Sequence, residues 1–288
     1  MKWGDFADWW KAFARSVRYD LRRGFRYVAI SAACLTPVIL FMLHLVFRDA
    51  MLMGYDREAL TFGDAMFVIF AGKRVPEPRP GLVPIPPLGW TLLIMLIVWT
   101  SLAYPSSDLR AYRYQSLTRC GSRSAWFASK ALWIVGATFA VWVVVWLVGV
   151  CVAYPLGLNL SLDVTHMGLA VAGGESDYGH GVMAEPSVWC VPIIVLVSLA
   201  LLQFACGIHG SPTLAFMAVC VLLLVTYFIE LPLLFPNGLM LVRLVPVQAN
   251  GASPMLCSLF AIGVSSATLV ISFILFSRCD LVSKEGSR

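Results

Sequence analysis

The sequence predicts an all-α integral membrane protein with six transmembrane helices and both termini in the cytoplasm. Three observations lead there. Six long apolar stretches divide the chain, and hydrophobic residues make up 59% of it, with a mean hydropathy of +0.81. Lysine and arginine also fall unevenly between alternate polar segments. At about 1.5 Å per helical residue, roughly 20 apolar residues cross a hydrocarbon core about 30 Å thick. Of the stretches 27–47, 88–104, 131–154, 187–208, 213–235 and 256–277, five are long enough on their own, and the second is the shortest. They form one transmembrane domain, 27–277, between a cytoplasmic segment, 1–26, and a tail, 278–288.

Orientation follows from the basic residues. Residues 1–26 carry seven (Lys2, Lys11, Arg15, Arg18, Arg22, Arg23, Arg26), segment 105–130 carries five (Arg110, Arg113, Arg119, Arg123, Lys130), and the tail three. The opposite loops hold Arg48, Arg57, Lys73, Arg74, Arg79 and Arg243, while loop 155–186 has acidic residues, Asp163, Glu175, Asp177 and Glu185, and no basic ones. The first stretch reads as an anchor that stays, because 26 residues precede it and no small-x-small cleavage pattern follows.

Element by element, residues 1–26 have a helical period. Trp3, Phe6, Trp10, Phe13, Val17 and Leu21 recur every three or four residues, and Lys11, Arg15, Arg18, Arg22 and Arg26 form a second stripe. At about 100° per residue the two stripes lie roughly 120° apart, so an amphipathic helix should lie flat in the inner interface, touching lipid headgroups, with Gly24 allowing a bend into span one. In the outer loop 48–87, the apolar run 65–71 is too short to span and reads as a helix on the outer surface. Prolines 84, 86 and 87 place the start of span two at Leu88.

Segment 105–130 carries its own punctuation. Pro105 should end span two, Ser106 or Ser107 can cap a new helix with Asp108 in its first turn, and Gly121 can close it. A bare connector needs only a handful of residues, so a capped helix here points to cytoplasmic docking. Ser211 and Pro212 read as the N-cap and first residue of span five. In span six, Ala261, Ser265, Thr268 and Ser272 make a small polar stripe suited to close helix packing.

Chemistry-bearing motifs are sparse. There is no GxxxxGK[ST] phosphate loop, no HExxH, no GxSxG and no CxxC; the four histidines are scattered and six of the eight cysteines lie in or at the ends of apolar stretches as small hydrophobes. Within the six stretches only Glu230 is charged, and it falls near the outer rim, where it can cap an outer helix or pair with Arg243. Ion-coupled carriers need carboxylates or broken helices near mid-membrane, so any energy source is expected on another polypeptide.

The run YQSLTRCGSRSAWFASK at 114–130 resembles the first cytoplasmic loop of permease subunits of the type-two class of ABC transporters, the ABC-2-like exporters. LTFGDAMFVIFAG at 60–72 and LMLVR at 239–243, after Pro236-Asn-Gly, resemble the outer segments of the same family. The resemblance implies an elbow helix at 3–23, a coupling helix near 107–120, pairing with a second permease copy or paralogue, and separate ATPase subunits that carry ATP and magnesium. It implies no cofactor in this chain, no catalysis by it and no nucleic-acid partner. Arg113, Arg119, Ser122, Arg123 and Trp126 are the expected coupling residues, by salt bridges and an aromatic anchor. The link between spans four and five, 207–212, is very short for that family. The substrate expected is hydrophobic or amphipathic: a peptide, lipid or drug exported across the cell membrane. The alternative is a six-span membrane scaffold, or a membrane enzyme, with no ATPase partner.

Overall fold

The structure, a computed structural model, describes residues 3–56, 59–74, 86–120, 122–173, 186–231 and 234–278, without the side chains of 3–5 and 109–120. Pro84, Gly121, Glu175, Asp177, Glu185 and the tail from Cys279 lie outside the described residues. All elements are helical: α1 (Trp3–Leu52), α2 (Phe62–Phe70), α3 (Leu88–Cys120), α4 (Arg123–Ala153), α5 (His166–Val171), α6 (Pro186–His209), α7 (Pro212–Phe228), two 3₁₀ turns (Phe235–Leu239 and Leu241–Arg243) and α8 (Pro254–Arg278). Among the described residues the only bridges are isolated, Thr61 with Asn159 and Leu244 with Ala252.

The long helices run up and down, which sorts the connections to two ends. One end carries the start of α1, the α3–α4 hairpin and the α6–α7 turn; the other, the cap end, carries α2, α5 and the 3₁₀ turns. Five helices, within α1, α3, α4, α6 and α8, are long and apolar enough to cross a membrane. The fifth expected span, 213–235, is shorter than its sequence promised. α7 stops at Phe228 after 17 residues rather than continuing to 235. Its end is capped from outside: the Arg243 guanidinium donates to the carbonyls of Thr226 (2.5 Å) and Tyr227 (2.8 Å), the orphan acceptors of a helix C-terminus.

Two helices are continuous where the sequence suggested breaks. α1 runs unbroken through Gly24. That glycine serves close approach, since a Cβ there would sit 2.3 Å from the Trp133 ring. α3 runs unbroken through Pro105. The hydroxyls of Ser106 and Ser107 donate back to the carbonyls of Leu102 (2.6 Å) and Tyr104 (2.8 Å) instead of capping a new helix. Residues 107–120 therefore form the end of α3 rather than a separate capped helix.

The cap end corrects a third expectation. α2 is a helix, but it is sunk into the bundle, with eight of its nine residues buried and Phe67 and Phe70 fully so. Its N-terminus is held by a capping box: Asp64 N–H donates to Thr61 Oγ1 (2.9 Å) and Thr61 N–H to Asp64 Oδ2 (3.0 Å). The Asp64 carboxylate also accepts from Thr165 N–H (2.6 Å) and Thr165 Oγ1 (2.9 Å), which draws the start of α5 over α2. The fit leaves no room at Gly168, whose Cβ would meet Asp64 Oδ1 at 2.3 Å. The small stripe on α8 behaves as expected in part: Ala261, Ser265 and Ser272 are buried, while Thr268 is not. The six cysteines whose side chains are described are all free, and of these only Cys257 is buried.

Candidate functional site

A buried cluster of charged and polar side chains lies at the hairpin end, where α1, α3 and α4 meet. Seen along α1, Trp9, Ser16, Asp20 and Gly24 share one face, adjacent to the apolar stripe. Trp9 Nε1 donates to Ser124 Oγ (2.9 Å), Ser16 and Ser129 share a hydrogen bond (2.8 Å), and Gly24 receives Trp133. This pattern zips the first half of α1 in parallel along the start of α4.

At the centre of the zipper stands Lys130. Its ammonium lies 2.6 Å from Asp20 Oδ1 of α1 and 2.8 Å from Asp108 Oδ2 of α3, and all three side chains are at most 2% exposed. Tyr104 OH donates to Asp20 Oδ1 at 2.7 Å, and the ammonium sits 4.5 Å from the Tyr104 ring centroid and 5.5 Å from that of Trp126. A second link runs beside it, from Tyr27 OH to Ser107 Oγ (2.9 Å). Buried charges of this kind persist only when paired and hydrogen-bonded, so the three helix ends are committed to one geometry. Two carboxylates share one ammonium.

The expected coupling residues surround this core. Arg113 and Arg119 lie on the extension of α3, with side chains outside the described residues. Ser122 is the N-cap of α4, accepting from Ala125 N–H at 3.3 Å, and Arg123 follows it on the exposed surface. Trp126 is different. It is 2% exposed and stacks on Phe276 of α8 at 5.5 Å, so its ring anchors α4 inside the chain and is not presented to a partner.

The expected interfacial stripe is on the surface: Phe6 and Trp10 are 51% and 55% exposed, Phe13 is half-buried against Trp9, and Arg15, Arg18 and Arg22 are exposed. Trp3 has no described side chain. Comparison with protein-family profiles, curated proteins and solved structures returns no match. The functional reading therefore rests on this chain's own residues.

At the cap end, Glu230 and Arg243 do not form the ion pair considered from sequence. Arg243 is fully buried and directs its donors to Thr226 O, Tyr227 O, Asn237 Oδ1 (2.9 Å) and Lys73 O (2.7 Å). Burial pushes its guanidinium below the ordinary arginine range, with the Glu230 charge acting in the opposite sense. The pull of Glu230 is electrostatic and at a distance; the arginine's role is to cap α7 and tie it to the segment after α2. Among the described residues no group of histidine, cysteine, aspartate and glutamate is arranged to hold a metal.

Sequence reasoning missed the Asp20–Tyr104–Asp108–Lys130 cluster because each member lies at the edge of an apolar stretch, where charges read as orientation signals. One signal was available: Ser16, Asp20 and Gly24 recur every four residues between the aromatic and basic stripes, a small and polar face that suits close helix contact.

Proposed function

We propose that the chain is the membrane-spanning permease subunit of an ATP-driven ABC-type exporter, with both termini in the cytoplasm of a cell-membrane protein. The substrate class is a hydrophobic or amphipathic peptide, lipid or drug. One observation carries the reading. α3 (33 residues, about 50 Å) and α4 (31 residues, about 46 Å) outrun a 30 Å hydrocarbon core, and their shared basic end is clamped to α1 by the buried ammonium. Force applied at the 109–123 tip would reach three spans together rather than bending a loop. The likeness of 114–130 to a permease coupling loop supports the same reading. In it, Arg113, Arg119 and Arg123 meet carboxylates on an ATPase subunit that carries ATP and magnesium, a second permease copy completes the translocation path, and the chain itself catalyses nothing.

The test uses the chain as purified from its native membrane through an affinity tag. The expected result is a stoichiometric P-loop ATPase in the preparation, with hydrolysis stimulated by reconstitution into lipid. Arg119→Glu with Arg123→Glu should abolish that stimulation while leaving membrane insertion intact. Absence of any P-loop ATPase, or wild-type stimulation in the double variant, removes the proposal in favour of a membrane scaffold.

A further inference from the structure

At the cap end, segment 159–165 lies across the start of α2 and is tied to it. Phe62 N–H donates to the Asn159 carbonyl (2.8 Å), Gly63 N–H to that of Ser161 (2.8 Å) and Thr61 Oγ1 to that of Asp163 (2.6 Å). Together with the bonds from Thr165 to Asp64, these make α2, α5 and the segment between them one unit. The carboxylate of Asp64 is fully buried, and its donors, Thr61 and Thr165, both belong to that unit. Its charge therefore stays satisfied if the unit moves as a whole.

Against the long helices, α2 makes contacts of another kind. Among the described residues, none of its hydrogen bonds reaches α1, α3 or α4. Phe62 meets the edge of Trp146 with 5.6 Å between ring centroids, and Phe70 lies 4.5 Å from Trp142. A Cβ at Gly149 would sit 2.8 Å from Met66 Sδ and 3.0 Å from the Phe62 ring. Trp142, Trp146 and Gly149 follow at spacings of four and three, so they share one face of α4 and form an apolar trough that α2 fills.

The unit is held differently where the chain leaves α2 and where the chain enters. Past α2, the carbonyls of Ala71 and Lys73 accept from Val242 N–H (3.2 Å) and Arg243 Nε (2.7 Å), and Gly72 between them, at φ +68°, is packed against Met240. Ahead of α2 and ahead of segment 159–165 stand Gly54 (φ +80°) and Gly157 (φ +70°), where a Cβ would meet nothing within 4 Å. With nine and six residues, α2 and α5 are too short to persist as helices without their packing, whereas α4 has 31.

We propose that α2, α5 and segment 159–165 form a lid that tilts about residues 71–73 and uncovers the trough on α4. The trough takes the hydrophobic part of an exported amphiphile; the ligand rests on the exporter reading, and the motion does not.

Hydrogen–deuterium exchange of the detergent-purified chain, read by mass spectrometry, tests the motion without any partner. In the wild type, 62–70 and 165–171 should exchange at one common rate, on the order of tenfold faster than 134–145 within α4, because they open together while the long helix stays closed. Gly149→Leu, which crowds Phe62 and Met66 of α2, should quicken both segments together and leave 191–204 of α6 unchanged. Protection of 62–70 equal to that of 134–145 overturns the proposal. So does a Gly149→Leu chain in which 62–70 quickens and 165–171 does not. Where Gly149→Leu fails to fold, the wild-type comparison alone decides. Joint opening in a chain that copurifies with no ATPase would keep the lid and remove the exporter reading with its ligand.

Discussion

Replacing Lys130 with methionine is the most direct probe of how the hairpin end is held. Methionine is unbranched and of similar length, so the change removes charge with little loss of volume. The ammonium is 1% exposed and lies within 3 Å of two carboxylates that are themselves buried. Breaking one buried pair by deleting a partner costs about 3–5 kcal/mol, chiefly through the charge left behind. Here two carboxylates are left behind and two aromatic faces lose their cation, so the upper figure, about 5 kcal/mol, applies. That is comparable with the whole stability of a marginal domain. Adding Asp20→Asn and Asp108→Asn removes the orphaned charges, and the triple variant should recover about 3 kcal/mol, because an apolar or neutral replacement of a whole buried ion cluster is close to neutral. The assay is unfolding by increasing mole fraction of sodium dodecyl sulfate in mixed micelles, followed by far-ultraviolet circular dichroism. A Lys130→Met midpoint equal to that of the wild type would refute the reasoning, and so would a triple variant less stable than the single one.

Three further outcomes follow from the same physics. Gly24→Leu should lower stability by about 1–3 kcal/mol in the same titration, because even its Cβ intrudes on the Trp133 ring at 2.3 Å; an unchanged midpoint would show that α1 and α4 are not in close contact there. Asp64→Ala strands one buried donor, Thr61 N–H, at about 1–3 kcal/mol, and two half-buried ones, Thr165 N–H and Thr165 Oγ1, at less because they find water, whereas Asp64→Asn keeps one acceptor. Limited proteolysis within 159–168 should accelerate in the order wild type, Asn, Ala, and equal rates would contradict the cap. Arg243→Lys cannot reach four separated acceptors with one compact ammonium, so at about 2 kcal/mol lost, amide exchange at the end of α7 should quicken roughly 30-fold; exchange as slow as in the wild type would count against the capping role.

Hydropathy made the long helices legible because the bilayer imposes a length that the chain must meet with apolar residues. It was a poorer guide to where helices stop. α7 ends at Phe228 although apolar residues continue beyond it, because the stop comes from Arg243, which reaches back from fifteen residues further along the chain. α3 passes Pro105 for the opposite reason. The cost of Pro105, a lost N–H and a ring clash worth about 3 kcal/mol, is offset by the contacts that pin the helix on both sides, Tyr104 by Asp20 and Asp108 by Lys130. Local punctuation in a sequence states what the backbone prefers, whereas these endings were decided by side chains from distant segments. The capping box of Thr61 and Asp64 is local and its T-x-x-D spacing stands in the sequence, but the tie from Thr165 to the same carboxylate, a hundred positions away, does not.

The same distinction changes how the basic residues should be understood. Counted along the chain, Lys130 is one of several cations that set orientation, and its neighbours Arg119 and Arg123 look equivalent to it. In the fold, Arg123 is exposed at the start of α4, whereas Lys130, two turns further in, is enclosed. Under the proposed function, charge reversal at Arg123 should therefore act mainly on encounters with the ATPase and disturb the bundle less than neutralising Lys130, which should loosen three helices at once. If both substitutions abolished ATPase stimulation, only the stability of the chain would tell them apart: loss with a wild-type unfolding midpoint marks a docking contact, and loss with a lowered midpoint marks the clamp that makes docking mechanically useful.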